Sequence, residues 1–152
     1  MCLIIDLKKH PSQHMGAIRK PYEVEEDMTV YKVLLRYFLD GEYRFITPYQ
    51  RMRIEFREAY TCKPFTKEEF VTSSDFIGGN AYHAFTTSYT PGIFNIVSDF
   101  EDDAAYLVKC IIPKGSLVYY GKNKDICSNR LIIKKDEMER LSIRRRLDIS
   151  WF

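Results

Sequence analysis

A chain of 152 residues with 45% hydrophobic and 29% charged side chains can bury one core, and its net charge of +2 is too small for a disordered chain. The same charge gives little general attraction for nucleic acid. No stretch reaches the ~18 uninterrupted apolar residues of a membrane helix. A single domain over residues 1–152 is expected, with 136–152 as a charged surface helix or tail.

In chain order, residues 2–7 (CLIIDL) read as a short strand whose charges follow the apolar run, the reverse of a secretory signal. Residues 8–28 hold Pro11 and Pro21 and end in Glu23-Val24-Glu25-Glu26-Asp27, which reads as an irregular connection with a solvated charge cluster. From Thr29 the pattern is strand-like. Tyr31, Val33, Leu35 and Tyr37 share one parity and are expected to face the core; Val30, Lys32, Leu34, Arg36 and Phe38 share the other. Asp40-Gly41 marks a turn, with residues 43–47 (YRFIT) as the hairpin partner, stopped by Pro48. Residues 51–57 alternate charged and apolar side chains, a half-buried strand pattern for which a helix remains an alternative.

Residues 61–80 read mostly as loop with one helical turn at 66–70. Tyr82 to Thr87 is the next strand, closed by Pro91-Gly92, and 93–106 fit helical spacing through Ile93, Phe94, Val97, Phe100 and Ala104. Residues 107–112 (LVKCII) and 116–121 (SLVYYG), with Pro113-Lys114-Gly115 as a turn, form the clearest pair of strands. Gly121 to Asp125 is a second turn, and 131–135 (LIIKK) a final short strand. The sum is an α+β domain: a strongly bent, mostly antiparallel sheet of short strands with one to three helices.

Several chemistries have no support. GxGxxG, GxxxxGK[ST], HExxH and GxSxG are absent. Cys2, Cys62, Cys110 and Cys127 have no CxxC spacing, so free thiols in a reducing, cytoplasmic setting are expected. His10 and His14 flank Pro11 and share no regular helix face, so no metal site is expected. Arg144-Arg145-Arg146 lies among Asp136, Glu137, Glu139 and Asp148, which favours ion pairing over nucleic-acid contact. The terminal Trp151-Phe152 reads as a hydrophobic anchor, with an exposed contact as the alternative.

What stands out is a set of polar residues on apolar strands. Lys32 interrupts Val30-Tyr31 and Val33-Leu34-Leu35, and His83 stands between Tyr82 and Ala84-Phe85. Thr87 and Ser88 lie in a hydroxyl-rich run, and Asn129 and Arg130 precede a strand. Tyr49 closes the segment Thr47-Pro48-Tyr49. Lysine, imidazole, hydroxyl and guanidinium groups suit phosphate or carboxylate oxygens through charge-assisted hydrogen bonds. Lys32, Tyr49, His83, Thr87, Ser88, Asn129 and Arg130 are therefore the candidate ligand-binding residues, with no catalytic residue and no cofactor assigned. Each has a structural alternative: an edge-strand lysine, a core histidine, ordinary turn hydroxyls.

The order VYKVL (30–34), TPY (47–49), YHAF (82–85) and VKCIIPKGSLVYYGKNKDICSNRLII (108–133) resembles a group of small proteins of bacteriophages and mobile elements, notably of gut Bacteroidetes. That resemblance implies a bacterial cytoplasmic setting and brings no established activity. VYKVL, FTTS (85–88) and the late SNRLII also fall in an order similar to the ADP-ribosyltransferase fold. There Lys32 stands where an Arg or His is expected, and no Glu occurs between Glu101 and Glu137. A cationic sugar transition state calls for a carboxylate, which an arginine would oppose. The expectation is a non-enzymatic accessory protein that binds an anionic nucleotide-like ligand, or a host protein, and counteracts host defence. An NAD-using, ADP-ribosyltransferase-like enzyme is the alternative.

Overall fold

The computed structural model describes residues 3–11, 18–49, 51–55, 59–74, 76–77, 79–99 and 104–141. Cys2, His14, Phe100, the end of the 51–57 pattern, Arg144 to Arg146 and Trp151-Phe152 lie outside the described residues.

The alternating segment after Thr29 forms the longest strand, and the rest of the sheet is arranged around it. The strands are β1 (Leu3–Ile4), β2 (Tyr22–Glu23), β3 (Met28–Leu39), β4 (Glu42–Ile46), β5 (Arg53–Ile54) and β6 (Ala59–Thr61). They continue as β7 (Phe76–Ile77), β8 (Tyr82–Phe85), β9 (Ala104–Ile112), β10 (Leu117–Tyr120), β11 (Asp125–Ser128) and β12 (Ile132–Leu141). The helices are α1 (Lys67–Phe70) and α2 (Pro91–Asp99). Ten strands form one antiparallel sheet in the order β2-β10-β11-β8-β3-β9-β12-β6, with β4 on β3 and β5 on β4; β1 pairs with β7 separately. Among the described residues strand far outweighs helix, so the fold is mostly sheet rather than an even α+β mixture, and the sheet is not closed. Among the described residues no helix is long and apolar enough to cross a membrane.

Local chemistry explains the punctuation. Asp40 (φ 52°) and Gly41 (φ 80°) both take the left-handed conformation that a tight two-residue hairpin turn demands, and β3 returns as β4 in register Leu39↔Glu42. Thr66 and Glu69 exchange capping bonds that start α1 (Glu69 N to Thr66 Oγ1, 3.2 Å; Thr66 N to Glu69 Oε1, 3.0 Å). Pro91 opens α2 instead of merely closing β8. Thr90 Oγ1 accepts the Ile93 N–H at 3.2 Å, and proline at the first helical position has no N–H to satisfy.

The middle of β3 is buried on both faces, which corrects the expectation of one core-facing parity there. Val33 and Leu35 pack with Leu107, Ile93 and Ile96 beneath α2, as expected. Val30 and Leu34, each 0% exposed, belong to a larger cluster with Val108, Cys110, Ile126 and Ile133. A third cluster, around Leu3, Ile5, Phe70, Tyr119 and Cys127, seals the reverse face of β10 and β11. Cys62, Cys110 and Cys127 are buried free thiols.

Three further readings change. The strands around Pro113-Lys114-Gly115 exist but do not pair: β9 lies between β3 and β12, and β10 between β2 and β11. The turn backbone is claimed instead by the preceding connection, through Val24 N to Ser116 O and Gly115 N to Val24 O, each 2.8 Å. Ala104 to Tyr106 belong to β9, not to a helix, because their partners Arg36 to Leu34 extend the ladder to them. The final strand runs on to Leu141, so 136–141 form neither helix nor tail; β12 regains β9 after a register shift between Ile133 and Met138.

Candidate functional site

β3 changes neighbours along one edge. On its other edge it pairs with β9 continuously from Met28 to Arg36. On this edge it meets β8 only at Tyr31↔Phe85 and takes up β4 only from Leu35↔Ile46 onward. Lys32, Val33 and Leu34 lie in the fork between. Continuing the Tyr31↔Phe85 register would set Val33 opposite His83, but that ladder is not formed. Instead the Lys32 ammonium reaches across and donates to the His83 carbonyl oxygen, Nζ to O 2.7 Å.

Lys32 is carried into this position by strand parity, between the buried Val30 and Leu34 on the main core face. Burial disfavours its charge and holds the amine below the ordinary lysine range. Cys62 and Cys110 are near enough to be felt, but burial pushes their thiols up to about 11 and about 12, so both are neutral at physiological pH. No thiolate therefore balances the ammonium.

The fork opens as a cleft of about 60 Å³. Lys32 and His83 line it with Thr47, Tyr49, Met52 and Phe85. Thr47 is held by the bend after β4: its Oγ1 accepts the Met52 N–H at 2.9 Å, and its backbone N–H donates to Met52 O at 2.9 Å. Tyr49, 43% exposed, stands beyond Pro48 on the same bend. No aspartate or glutamate is among the described residues that line the cleft.

Three of the seven candidates, Lys32, Tyr49 and His83, thus come together. The other four do not join them. Thr87 is an exposed loop residue whose hydroxyl donates to Tyr89 O at 3.1 Å. Ser88 lines a separate cleft with Tyr31, Tyr89 and Lys109. Asn129 ties the β11–β12 link together, accepting Leu117 N–H at Oδ1 (2.9 Å) and donating from Nδ2 to Phe65 O (3.2 Å). Arg130 follows it, with its N–H on Ser128 Oγ at 3.2 Å, and its guanidinium lies toward Gly115 rather than the fork. Sequence reasoning missed Met52 and the apolar wall of Val33, Phe85 and Ile96; the segment Thr47-Pro48-Tyr49 was the visible signal for that side.

A second polar centre lies at the far end of the sheet. His10 is 1% exposed, with Nδ1 3.0 Å from Lys20 O and Nε2 2.9 Å from Tyr120 N. A backbone N–H can only donate and a carbonyl can only accept, so the ring is neutral with its proton on Nδ1. Its pKa is lowered, chiefly by burial. The rings of Tyr22, Tyr119 and Tyr120 surround it, Arg19 NH1 donates to His10 O at 3.1 Å, and Tyr119 OH donates to Arg19 O. A groove of about 950 Å³ beside this centre carries Lys9, Lys20 and Lys67, and no site is assigned to it.

Comparison of the chain with protein-family models, curated proteins and solved structures finds no match.

Proposed function

We propose that this is a non-enzymatic binding protein whose sheet fork accepts the anionic group of a small, nucleotide-like ligand. The observation that carries the reading is the convergence of Lys32, His83, Thr47 and Tyr49 on one cleft where β3 changes partners. These residue types supply ammonium, imidazole, hydroxyl and phenol donors to one anion. A cleft of about 60 Å³ admits the anionic group, and the rest of the ligand would lie outside it. On the resemblance to phage and mobile-element proteins, the natural ligand would be a nucleotide signal in a bacterial cytoplasm, captured to blunt host defence. The NAD-splitting alternative draws no support from the cleft, whose described lining offers no carboxylate for a cationic sugar.

Calorimetric titration with inorganic phosphate, ADP-ribose and cyclic dinucleotides tests the reading. At least one should bind. Lys32→Met should weaken that binding about 10–100-fold, the value of a charge-assisted hydrogen bond of about 1.5–3 kcal/mol, without loss of cooperative unfolding. Flat titrations across the panel would overturn it.

A further inference from the structure

We infer that the fork cleft captures small oxo-acids covalently, with Lys32 as the amine that forms an imine with their carbonyl carbon. The inference rests on the anion-binding part of that reading and departs from its nucleotide-like ligand, assigning the cleft a smaller ligand class.

Two groups are needed for an oxo-acid, an amine for the carbonyl and donors for the carboxylate, and the cleft holds both. The amine is fixed at the fork by its 2.7 Å bond to His83 O, which holds its position against the four-carbon freedom of an ordinary lysine. Val33, Phe85 and Ile96 make the wall beside it apolar, which favours the uncharged form of the amine. Neighbouring Cys62 and Cys110 remain protonated and give the ammonium no counter-charge, so a larger share of Lys32 carries a free lone pair than at a solvated lysine. For the carboxylate, Thr47 already receives the Met52 N–H and has its own O–H to donate; Tyr49 and His83 line the same cleft. Size agrees as well: at ~30 Å³ per water, about 60 Å³ is room for about two waters, which suits a two- or three-carbon acid better than a nucleoside.

The step balances without an oxidant. The neutral Nζ attacks the carbonyl carbon, the C=O pair moves to oxygen, and a proton passes from nitrogen to oxygen to give a carbinolamine. Loss of that hydroxyl as water leaves the C=N bond, and hydrolysis reverses it.

The test treats the full chain with glyoxylate and cyanoborohydride at neutral pH. Hydride from the cyanoborohydride reduces the imine to a stable carboxymethyl amine, located by peptide mass spectrometry. Lys32 should be modified about tenfold faster than the exposed Lys114 and Lys122, and the advantage should shrink as pH rises toward the ordinary lysine range. Glyoxylate should also outpace acetaldehyde at Lys32. Phosphate binding by titration with no adduct at Lys32 would overturn the imine alone. Equal rates for the two aldehydes, or flat phosphate titrations, would overturn the anionic part of the assignment.

Discussion

His10, in the connection that packs on β10, and Lys32, on β3, are both basic side chains drawn in from solvent, and they are satisfied in opposite ways. At His10 each ring nitrogen has one backbone partner, three tyrosine rings close the sides, and Arg19 and Tyr119 knit the flanking backbone. Lys32 donates to a carbonyl from a strand that has just left the ladder, and beside it the sheet is open. A completed polar network fixes a fold, whereas a partly completed one at a break in pairing leaves capacity for something else.

The largest effect that would sharpen this contrast is at His10. His10→Phe keeps an aromatic ring but strands the Lys20 carbonyl and the Tyr120 N–H in the interior, a loss of about 2–4 kcal/mol at mildly alkaline pH. Denaturant unfolding measures it, and a loss under about 1 kcal/mol would mean that the network is not what holds this end.

Acid should act on the same point. The folded-state pKa of His10 lies below its unfolded value of about 6.5, so between the two the unfolded chain binds the extra proton. The stabilisation is complete above about 6.5 and is lost as pH falls toward the folded pKa. Asp6, Lys9 and Arg19 are the charged neighbours, the first opposing the shift and the other two adding to it. Wild type should therefore show an acid loss of stability below about 6.5 that His10→Phe lacks; identical pH profiles for the two would break the comparison.

A smaller effect belongs to the fork. Thr90→Ala removes the cap of α2, whose Ile96 walls the cleft, and should cost about 1 kcal/mol by thermal or denaturant melting. If the cleft depends on that wall, phosphate affinity should fall with it; unchanged affinity would place the binding determinants wholly on β3, β8 and the bend after β4.

Much of the strand content was legible because alternation, Asp40-Gly41 and the proline punctuation are local signals. β11 was missed because its ends, Asp125 and Ser128, read as turn and surface residues, yet both are buried, 8% and 0% exposed. Asp125 fits because Gly121 has no side chain: a Cβ there would stand 2.0 Å from Asp125 Oδ1. Partners across long sequence separations, such as β3 with β9, leave no local trace, and consecutive strands around Pro113 looked like mates for that reason. At the site, Lys32 and His83 were visible as polar interruptions of apolar strands. The grouping was not: Asn129 and Arg130 share residue types with a ligand site, but the chain uses Asn129 and its neighbours to tie a link between strands.

Lys32 has one more consequence, for alignment rather than for ligands. Both parities of β3 are largely apolar and both faces are covered, so hydrophobicity alone scarcely distinguishes the native alignment from one slipped by a single residue. A slip would carry the lysine to the side beneath α2 and take its ammonium away from the His83 carbonyl to which it donates. Lys32 thus adds a preference for one alignment to what the turn and the neighbouring ladders already set.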